Sequence, residues 1–280
     1  MSNIKYHIER NSVQETLLIP LYARLICSRR YPELFNDSHA EKICDSLDYD
    51  FMDKKKLMNS VFGLFGALEA AQRHNDLIWE IKDYLKEHPE AAVVNMGCGL
   101  DDTFAKVDNG TCHGYNIDFT DVIEVRNQLL PAGEREENIG CDLTDYSWMD
   151  KIDGSRGTIF FAAGVFYYLK KSSVKDLLST LAERFPGGRT VFDSCNKKGA
   201  KMMTRTWLKQ AGITSVDALF YLESFNEISN WSSLFEEVSY RSYMRGYQDI
   251  YNEVRPLYKM LIKMCDNFIN MVIVRITFSK

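Results

Sequence analysis

Two glycines separated by one residue follow a short apolar segment, about a third of the way along the chain. The segment Ala91–Met96 has no polar alternation, which is typical of a strand buried on both faces of a sheet. It leads into the turn Asn95–Asp101, whose sequence is NMGCGLD. Glycine allows a tight turn and a close approach of a ligand to the backbone. Since open α/β sheets bind ligands at the carboxyl ends of their strands, the pattern predicts a binding turn; the alternative is a purely structural strand-to-helix connection.

The residues after the glycines narrow the choice of ligand. A dinucleotide fingerprint would place a third glycine at position 102, where this chain has Asp102 directly after Asp101. Two carboxylates would repel a pyrophosphate but tolerate the sulfonium and ammonium groups of S-adenosylmethionine. No Gly-Lys-Ser/Thr follows, which excludes a P-loop. An NAD-linked oxidoreductase is the weaker alternative.

Acidic residues end the next two predicted strands. Asp118, followed by Phe119, lies about twenty residues beyond the glycine turn, where a carboxylate can accept both ribose hydroxyls. Asp142 can accept from the exocyclic amine of adenine while Leu143 packs on the ring. The alternatives are a helix cap at Asp118 and a strand-end turn at Asp142. Three such features in this order favour S-adenosylmethionine as cofactor.

A sulfonium methyl group is already activated, so its transfer depends mostly on alignment. A general base helps only when the acceptor is a hydroxyl of high pKa. Asp193, at the end of the fifth predicted strand, is either such a base or a helix cap. Tyr167 and Tyr168 follow the fourth strand, where, together with the N-terminal helices, they are expected to line an aromatic acceptor pocket.

Strands alternating with helices predict an α/β fold with βαβ units in the middle of the chain. We expect one domain over residues 1–280, with a helical cap (1–90), a cofactor-binding core (91–195), and an insertion with closing strands (196–280). In the cap, apolar spacing predicts helices around residues 17–26, 43–51, 62–73 and 76–87. The other predicted elements are strands at 91–96, 112–117, 138–141, 157–162, 189–193, 238–244 and 270–278, and helices at 119–130, 172–185 (capped by Ser172 or Ser173) and 253–265, with helices and loops over 198–231.

Composition excludes several classes of protein. The formal net charge of −5 argues against nucleic acid as the main partner, and no apolar stretch is long enough to span a membrane. The first fifteen residues lack a signal-peptide pattern, and the seven cysteines form no C-x-x-C pair, so free, mostly buried thiols and a cytoplasmic location are expected. His39 with Glu41 is interpreted as a helix-surface pair, and no metal is predicted.

Several segments resemble the leucine carboxyl methyltransferase family, and in particular its bacterial branch typified by a tetracenomycin polyketide O-methyltransferase. The segments are residues 15–24 (ETLLIPLYAR), 94–101, 118–123, 145–148 (DYSW), 163–168 and 184–188, so the likeness covers roughly residues 14–195. The resemblance implies a Rossmann-like class I methyltransferase core with a mostly parallel seven-stranded sheet, helices on both faces, S-adenosylmethionine as donor and O-methylation of a small acceptor.

The resemblance also assigns residues. It implies that Arg73 pairs with the cofactor carboxylate, with Arg24 as a second choice; a surface salt bridge is the alternative for both. The predicted cofactor-binding residues are Arg73, Asn95, Gly97, Cys98, Gly99, Asp101, Asp118, Phe119, Asp142, Leu143, Ala163 and Gly164. The predicted substrate-facing residues are Tyr22, Arg24, Tyr167 and Tyr168.

Two positions depart from the family pattern. Ala163 stands where the leucine carboxyl branch usually has Glu, which disfavours a protein C-terminal carboxylate as acceptor and favours a polyketide-like one. Asp102 replaces the Thr that often follows Leu-Asp, which puts a binding role for position 102 in doubt. A protein C-terminal carboxyl methyltransferase and a cofactor-binding protein without transfer activity remain alternatives.

Overall fold

The apolar segments in the middle of the chain form the strands of one sheet in the computed structural model, which describes residues 5–7, 13–52, 55, 59–203, 220–247 and 252–280. Within these residues the sheet has seven strands: β1 (Ala92–Met96), β2 (His113–Asp118), β3 (Glu136–Gly140), β4 (Thr158–Ala162), β5 (Arg189–Ser194), β6 (Phe235–Ser242) and β7 (Val272–Phe278). Their order is β3-β2-β1-β4-β5-β7-β6, and β7 runs in the direction opposite to the other six strands. This confirms the predicted mostly parallel sheet.

Both faces of the sheet are covered, as the uninterrupted apolar strands require. In β1, Ala92, Val94 and Met96 pack into one hydrophobic layer, while Val93 packs into the other. The first layer contains apolar side chains of the helix after β4, and the second contains those of the N-terminal helices. Because side chains alternate along a strand, the strands β1, β4, β5 and β7 each contribute to both layers.

The helices of the described residues are α1 (Val13–Arg30), α2 (Ser38–Ser46), α3 (Val61–Glu87), α4 (Thr103–Val107), α5 (Thr120–Leu129), α6 (Lys171–Arg184), α7 (Lys197–Met203) and α8 (Pro256–Met264). Three predictions were wrong in detail. Residues 62–87 form one helix rather than two, Leu47 and Phe51 lie beyond the end of α2, and Lys170 rather than a serine precedes α6. Residues 204–219 of the segment predicted as helices and loops lie outside the described part of the chain.

The long helix α3 begins and ends at clear local signals. The side chain of Ser60 accepts a hydrogen bond from the backbone N–H of Gly63 at 2.9 Å, and Pro89 follows the last turn. The helix packs along α1, and together they cover one face of the sheet. The two-residue strands Tyr6–His7 and Leu47–Asp48 pair in parallel beside them, so this region is not purely helical.

The C-terminal part closes the sheet. A single wide turn of π-helix, Cys265–Ile269, continues α8, and Asn270 then adopts a left-handed conformation with φ of 49° before β7 begins.

The seven cysteines are free, and six of them are buried, as the sequence predicted. No helix among the described residues is both long and apolar enough to cross a membrane.

Candidate active site

A cavity of about 650 Å³ lies between the carboxyl ends of the parallel strands and the helices α1 and α3. This volume falls within the range of about 300–1,000 Å³ that is usual for small-molecule sites. Most residues that the sequence singled out line it: Arg24, Arg73, Asn95, Gly97, Cys98, Gly99, Asp101, Asp118, Phe119, Asp142, Leu143, Ala163, Gly164, Tyr167, Tyr168 and Asp193. Tyr22 lies outside the cavity lining, since its buried ring stacks on Phe51 with 4.9 Å between centroids.

The glycine turn depends on backbone conformations that favour glycine. Gly97 has φ of +73° and Gly99 has φ of +48°, and a β-carbon at position 97 would lie 2.4 Å from a methyl group of Val165. Asp118 fixes the turn from the next strand: its carboxylate accepts from the backbone N–H groups of Gly99 and Phe119, each at 2.8 Å. Burial raises the pKa of Asp118 even though these two hydrogen bonds oppose the shift.

The loop after β3 is built on a buried tryptophan. The indole N–H of Trp148 donates to the carbonyl oxygen of Leu143 at 3.3 Å, and Asp145 caps the short 3-10 helix that carries the tryptophan. Asp142 accepts from the backbone and hydroxyl of Thr144 at 2.8 and 2.7 Å. The segment 145–148 therefore holds Leu143 against the cavity from behind.

Arg73 crosses the cavity wall to the end of β5. Its guanidinium donates to Asp193 at 3.0 Å, and the same carboxylate accepts from the backbone N–H of Gly164 at 2.6 Å. Gly164 has φ of +73°, and a β-carbon there would lie 2.7 Å from Arg73 Nη1. Asp193 is not a helix cap, because Asn196 accepts from the first backbone N–H groups of α7 instead.

Arg24, although it borders the cavity, is held by the protein itself. Its Nε donates to Asp37 at 2.7 Å, and Nη2 donates to the carbonyl oxygen of Leu100 at 3.0 Å. The side chains of Arg24 and Asp37 are both more than nine-tenths buried. These two contacts tie α1 to the glycine turn, and the substrate-facing role of Arg24 remains a prediction.

A second group of charges surrounds the aspartates that follow the glycines. Burial would raise the pKa of Asp101, but the charges of His74 and Arg24 outweigh burial and lower it. Asp102 points away from the cavity lining, and its carboxylate lies 2.7 Å from His39 Nδ1 and 3.4 Å from Lys106 Nζ. The interpretation of His39 as a surface partner of Glu41 is thus wrong.

Glu41 in fact pairs with Arg29 at 2.8 Å. Ligand atoms of Asp37, His74 and Asp102 lie within 4.8 Å of one another. The ammonium of Lys106 lies among them, at 3.0 Å from His74 Nε2 and 3.7 Å from Asp37. A tethered cation therefore stands where a metal ion would bind; that the protein uses no metal remains a prediction.

The far end of the cavity contains a carboxylate that the sequence analysis missed. Glu69 precedes Arg73 by one turn of α3, and both line the cavity. The spacing of four residues was the available signal, because side chains four apart share a helix face. The residues around it are mostly apolar or aromatic: Ala70, Tyr167, Cys195, Met202, Met203, Tyr243, Ile269 and Met271.

Comparison with known proteins decides the family. A sequence model of the leucine carboxyl methyltransferase family matches residues 18–182, more than half of the chain. The chain belongs to this family. As a leucine carboxyl methyltransferase family member it is an S-adenosylmethionine-dependent methyltransferase, and S-adenosylmethionine is its cofactor.

Much of the chain is similar in sequence to a named methyltransferase and in structure to proteins of known structure. It is 28% identical over 188 residues to the tetracenomycin polyketide synthesis O-methyltransferase TcmP of Streptomyces glaucescens, a match that covers 67% of each chain. A DUF574 family protein from Streptomyces avermitilis superposes with a TM-score of 0.61 at 11% identity, covering 94% of this chain and 96% of the other. A methyltransferase candidate from Thermobifida fusca superposes with a TM-score of 0.59 at 13% identity, covering 94% of both chains. These structures support the fold.

Proposed function

We propose that this methyltransferase transfers a methyl group to an oxygen, hydroxyl or carboxyl, of a small polyketide-like acceptor. The observation that carries the proposal is one cavity that joins strand-end polar groups to a chamber with apolar and aromatic walls. The first part suits a nucleoside with a charged tail, and the second suits an apolar, ring-containing molecule. The likeness to a polyketide O-methyltransferase supports the same acceptor class.

The cofactor would lie along the strand ends. Asp118 would accept from the ribose hydroxyls, and Leu143 would pack on the adenine with Asp142 near its amine. The guanidinium of Arg73 has five N–H donors, of which one meets Asp193, so donors remain for the cofactor carboxylate. Gly97, Gly99 and their neighbours would let the backbone approach the ligand closely.

The protein's contribution to the reaction is chiefly alignment. Bound S-adenosylmethionine supplies an electrophilic methyl group. The glycine turn and the Arg73–Asp193 pair would fix one end of the reacting pair, and the aromatic chamber with Tyr167 and Tyr168 would orient the other. Holding two reactants in line replaces a bimolecular encounter by an intramolecular step.

The three parts of the chain would divide these tasks within a single domain. Residues 1–90 would form the cap over the cavity, 91–195 the cofactor-binding core, and 196–280 the insertion and closing strands. The seven free cysteines suit a reducing compartment, which supports a cytoplasmic location.

Calorimetry with S-adenosylmethionine and S-adenosylhomocysteine tests the cofactor site. We expect Asp118→Ala to weaken binding by about tenfold or more, or roughly 1.4 kcal/mol, because the ribose contact is lost. Asp121→Ala is the matched control, since Asp121 is exposed on α5 and does not line the cavity. Equal affinity of the two variants would refute the assignment of Asp118, and no binding by the wild type would refute the proposed function.

A further inference from the structure

The strand β6 lies at one edge of the sheet. Among the residues that the structure describes, it pairs with β7 alone, so the other side of its backbone forms no ladder with them. An open edge is a template for pairing with another chain, and proteins usually block it with Lys, Pro or a bulge. The eight residues of β6 include neither Lys nor Pro, and the bulge lies at the first of them, between Phe235 and Glu237. Residues 237–241 therefore form the regular part of this edge.

The sequence of residues 237–241 is complementary to itself in the antiparallel direction. In a pair of identical strands centred on Ser239, Glu237 of one strand lies opposite Arg241 of the other. Val238 lies opposite Tyr240 in the same way. Opposite charges, and a β-branched residue facing an aromatic one, are both stabilising cross-strand pairs. Because such a contact has two-fold symmetry, each favourable pair occurs twice.

The backbone of β6 has the orientation that this register requires. Directly after the strand, the N–H of Tyr243 donates to the carbonyl oxygen of Met271 at 3.1 Å, in line with the pairing of Ser242 with Val272. N–H and C=O groups alternate between the two sides of a strand, so those of residues 238 and 240 point away from β7. Across the two-fold axis they would form hydrogen-bonded pairs, while residues 237, 239 and 241 would form the pairs without hydrogen bonds.

Both faces of the sheet at this edge suit a second copy of the chain. Arg241 lies on the side of α3, where its guanidinium is 4.6 Å from the ring centroid of Trp79 and 4.8 Å from that of Tyr247. Rings cover the faces of the guanidinium, and its N–H donors lie in its plane, where a carboxylate can meet them. On the other face, Val238 and Tyr240 are half-buried against the hydrophobic layer that contains α6. Pairing would extend this layer from one sheet into the next.

The opposite edge of the sheet lacks this complementarity. The strand β3 has five residues, Glu136–Gly140, and a two-fold pair centred on Asn138 would place Glu137 opposite Ile139. A carboxylate opposite an apolar side chain gives neither a charge pair nor an apolar contact. The self-complementary pattern thus distinguishes β6 from the other edge.

We propose that β6 pairs with β6 of a second copy of this chain, antiparallel and centred on Ser239, so that two sheets join into one. The contact is isologous, since the same surface serves both chains. None of the described residues 235–242 lines the cavity. The proposal is therefore independent of the proposed function.

Analytical ultracentrifugation of the full chain and of charge-reversed variants tests the charge pairs. We expect a wild-type dimer, and Glu237→Arg or Arg241→Glu should weaken dimerisation by about tenfold or more, because two attractive pairs become repulsive. The double variant Glu237→Arg/Arg241→Glu places opposite charges face to face again and should restore the dimer. Glu236→Arg is the control, since it makes the same change of charge opposite the neutral Ser242. Circular dichroism and S-adenosylhomocysteine binding verify that each variant is folded.

A cysteine at the two-fold axis tests the register independently of charge. In Ser239→Cys the two thiols belong to a pair without hydrogen bonds, whose Cα atoms are about 4.5 Å apart, within the range for a disulfide. Mild oxidation with copper–phenanthroline should therefore link two chains. Ser242→Cys is the matched control, because residues 242 of the two chains would lie roughly 20 Å apart. The wild type measures any linkage through the native cysteines.

Several outcomes would overturn the pairing of β6. A monomeric wild type at about 100 μM would show that the edge is free, is covered by the chain itself or serves another protein. A dimer that the single reversals leave intact, or that Glu236→Arg weakens equally, would place the contact elsewhere. A double reversal that stays monomeric, or a Ser239→Cys variant that links no more than Ser242→Cys, would exclude the register.

Discussion

Gly164 sits at the point where the backbone after β4 meets the guanidinium of Arg73, and an alanine there should disturb both. Its φ of +73° is unfavourable for a residue with a side chain, and the added methyl would lie 2.7 Å from Arg73 Nη1. The arginine must then move, since two atoms cannot approach so closely. Its movement would weaken the hydrogen bond to Asp193, whose side chain is almost fully buried.

The size of the effect can be worked from a matched glycine. Gly110 has φ of +88°, and a β-carbon there would meet no atom within 4 Å. Gly110→Ala should therefore lower the free energy of unfolding only through the unfavourable backbone conformation, by about 1–2 kcal/mol. The stiffer unfolded chain of the alanine variant offsets up to about 1 kcal/mol of this loss. Gly164→Ala adds the damage to a hydrogen bond between charged groups, about 1.5–3 kcal/mol.

Denaturant unfolding of the two variants, with calorimetric titration of S-adenosylmethionine, measures both quantities. We expect Gly164→Ala to lose at least about 1.5 kcal/mol more stability than Gly110→Ala and to bind the cofactor about tenfold more weakly. The control should bind as the wild type does. Equal stability losses with unchanged cofactor affinity would show that Gly164 does not position Arg73, and the assigned site of the cofactor carboxylate would fall with it.

Two further predictions concern buried side chains. Trp148→Phe keeps a ring but removes the N–H that donates to the carbonyl oxygen of Leu143. The variant should lower the free energy of unfolding, measured with denaturant, by about 1–3 kcal/mol and should weaken cofactor binding. An unchanged stability together with an unchanged cofactor affinity would refute the supporting role of the tryptophan. Burial raises the pKa of Asp76 to about 9, so between about pH 4 and 9 the folded protein holds a proton that the unfolded chain releases, and stability falls as the pH rises. Asp76→Asn retains an oxygen for the amide of Gln72 and should stabilise by about 1 kcal/mol or more at pH 8 and by much less at pH 5; an equal change at both pH values would contradict the assigned protonation.

The core of the fold was predictable because its signals are local. An apolar segment such as Ala92–Met96 can only be buried on both faces, and Gly97 and Gly99 end it with conformations that other residues avoid. Asp118 followed from its distance along the chain. Such regularities located the strands along the chain, and fifteen of the sixteen predicted site residues line one cavity.

The errors arose where distant segments decide the structure. Two helices, 62–73 and 76–87, were predicted where α3 is continuous, and His74 and Asp76, close to the predicted break, are buried and find partners within the fold. The contacts of Arg24 with Asp37 and Leu100 were likewise not expected from the sequence. No local pattern reveals the pairing of Arg24 with the backbone of Leu100, which lies 76 residues further along the chain.

Glu69 was missed for the opposite reason. An isolated acidic residue on a helix is most often at the surface. Glu69 instead faces a cavity, and Met202, Tyr243 and Met271 complete the lining of that cavity. These partners come from parts of the chain that follow the parallel strands, where the sequence resemblance is weakest. The acceptor end of the site is thus the part that sequence alone predicts least well.

The ammonium of Lys106, set among Asp37, His74 and Asp102, has a consequence for how the protein matures. A counter-ion that is part of the polypeptide arrives with every newly made chain and in fixed stoichiometry. The charges at the joint between the N-terminal helices and the glycine turn are therefore balanced by a cationic group that the chain itself carries. Assembly of the binding site is in this respect encoded in the chain rather than in its surroundings.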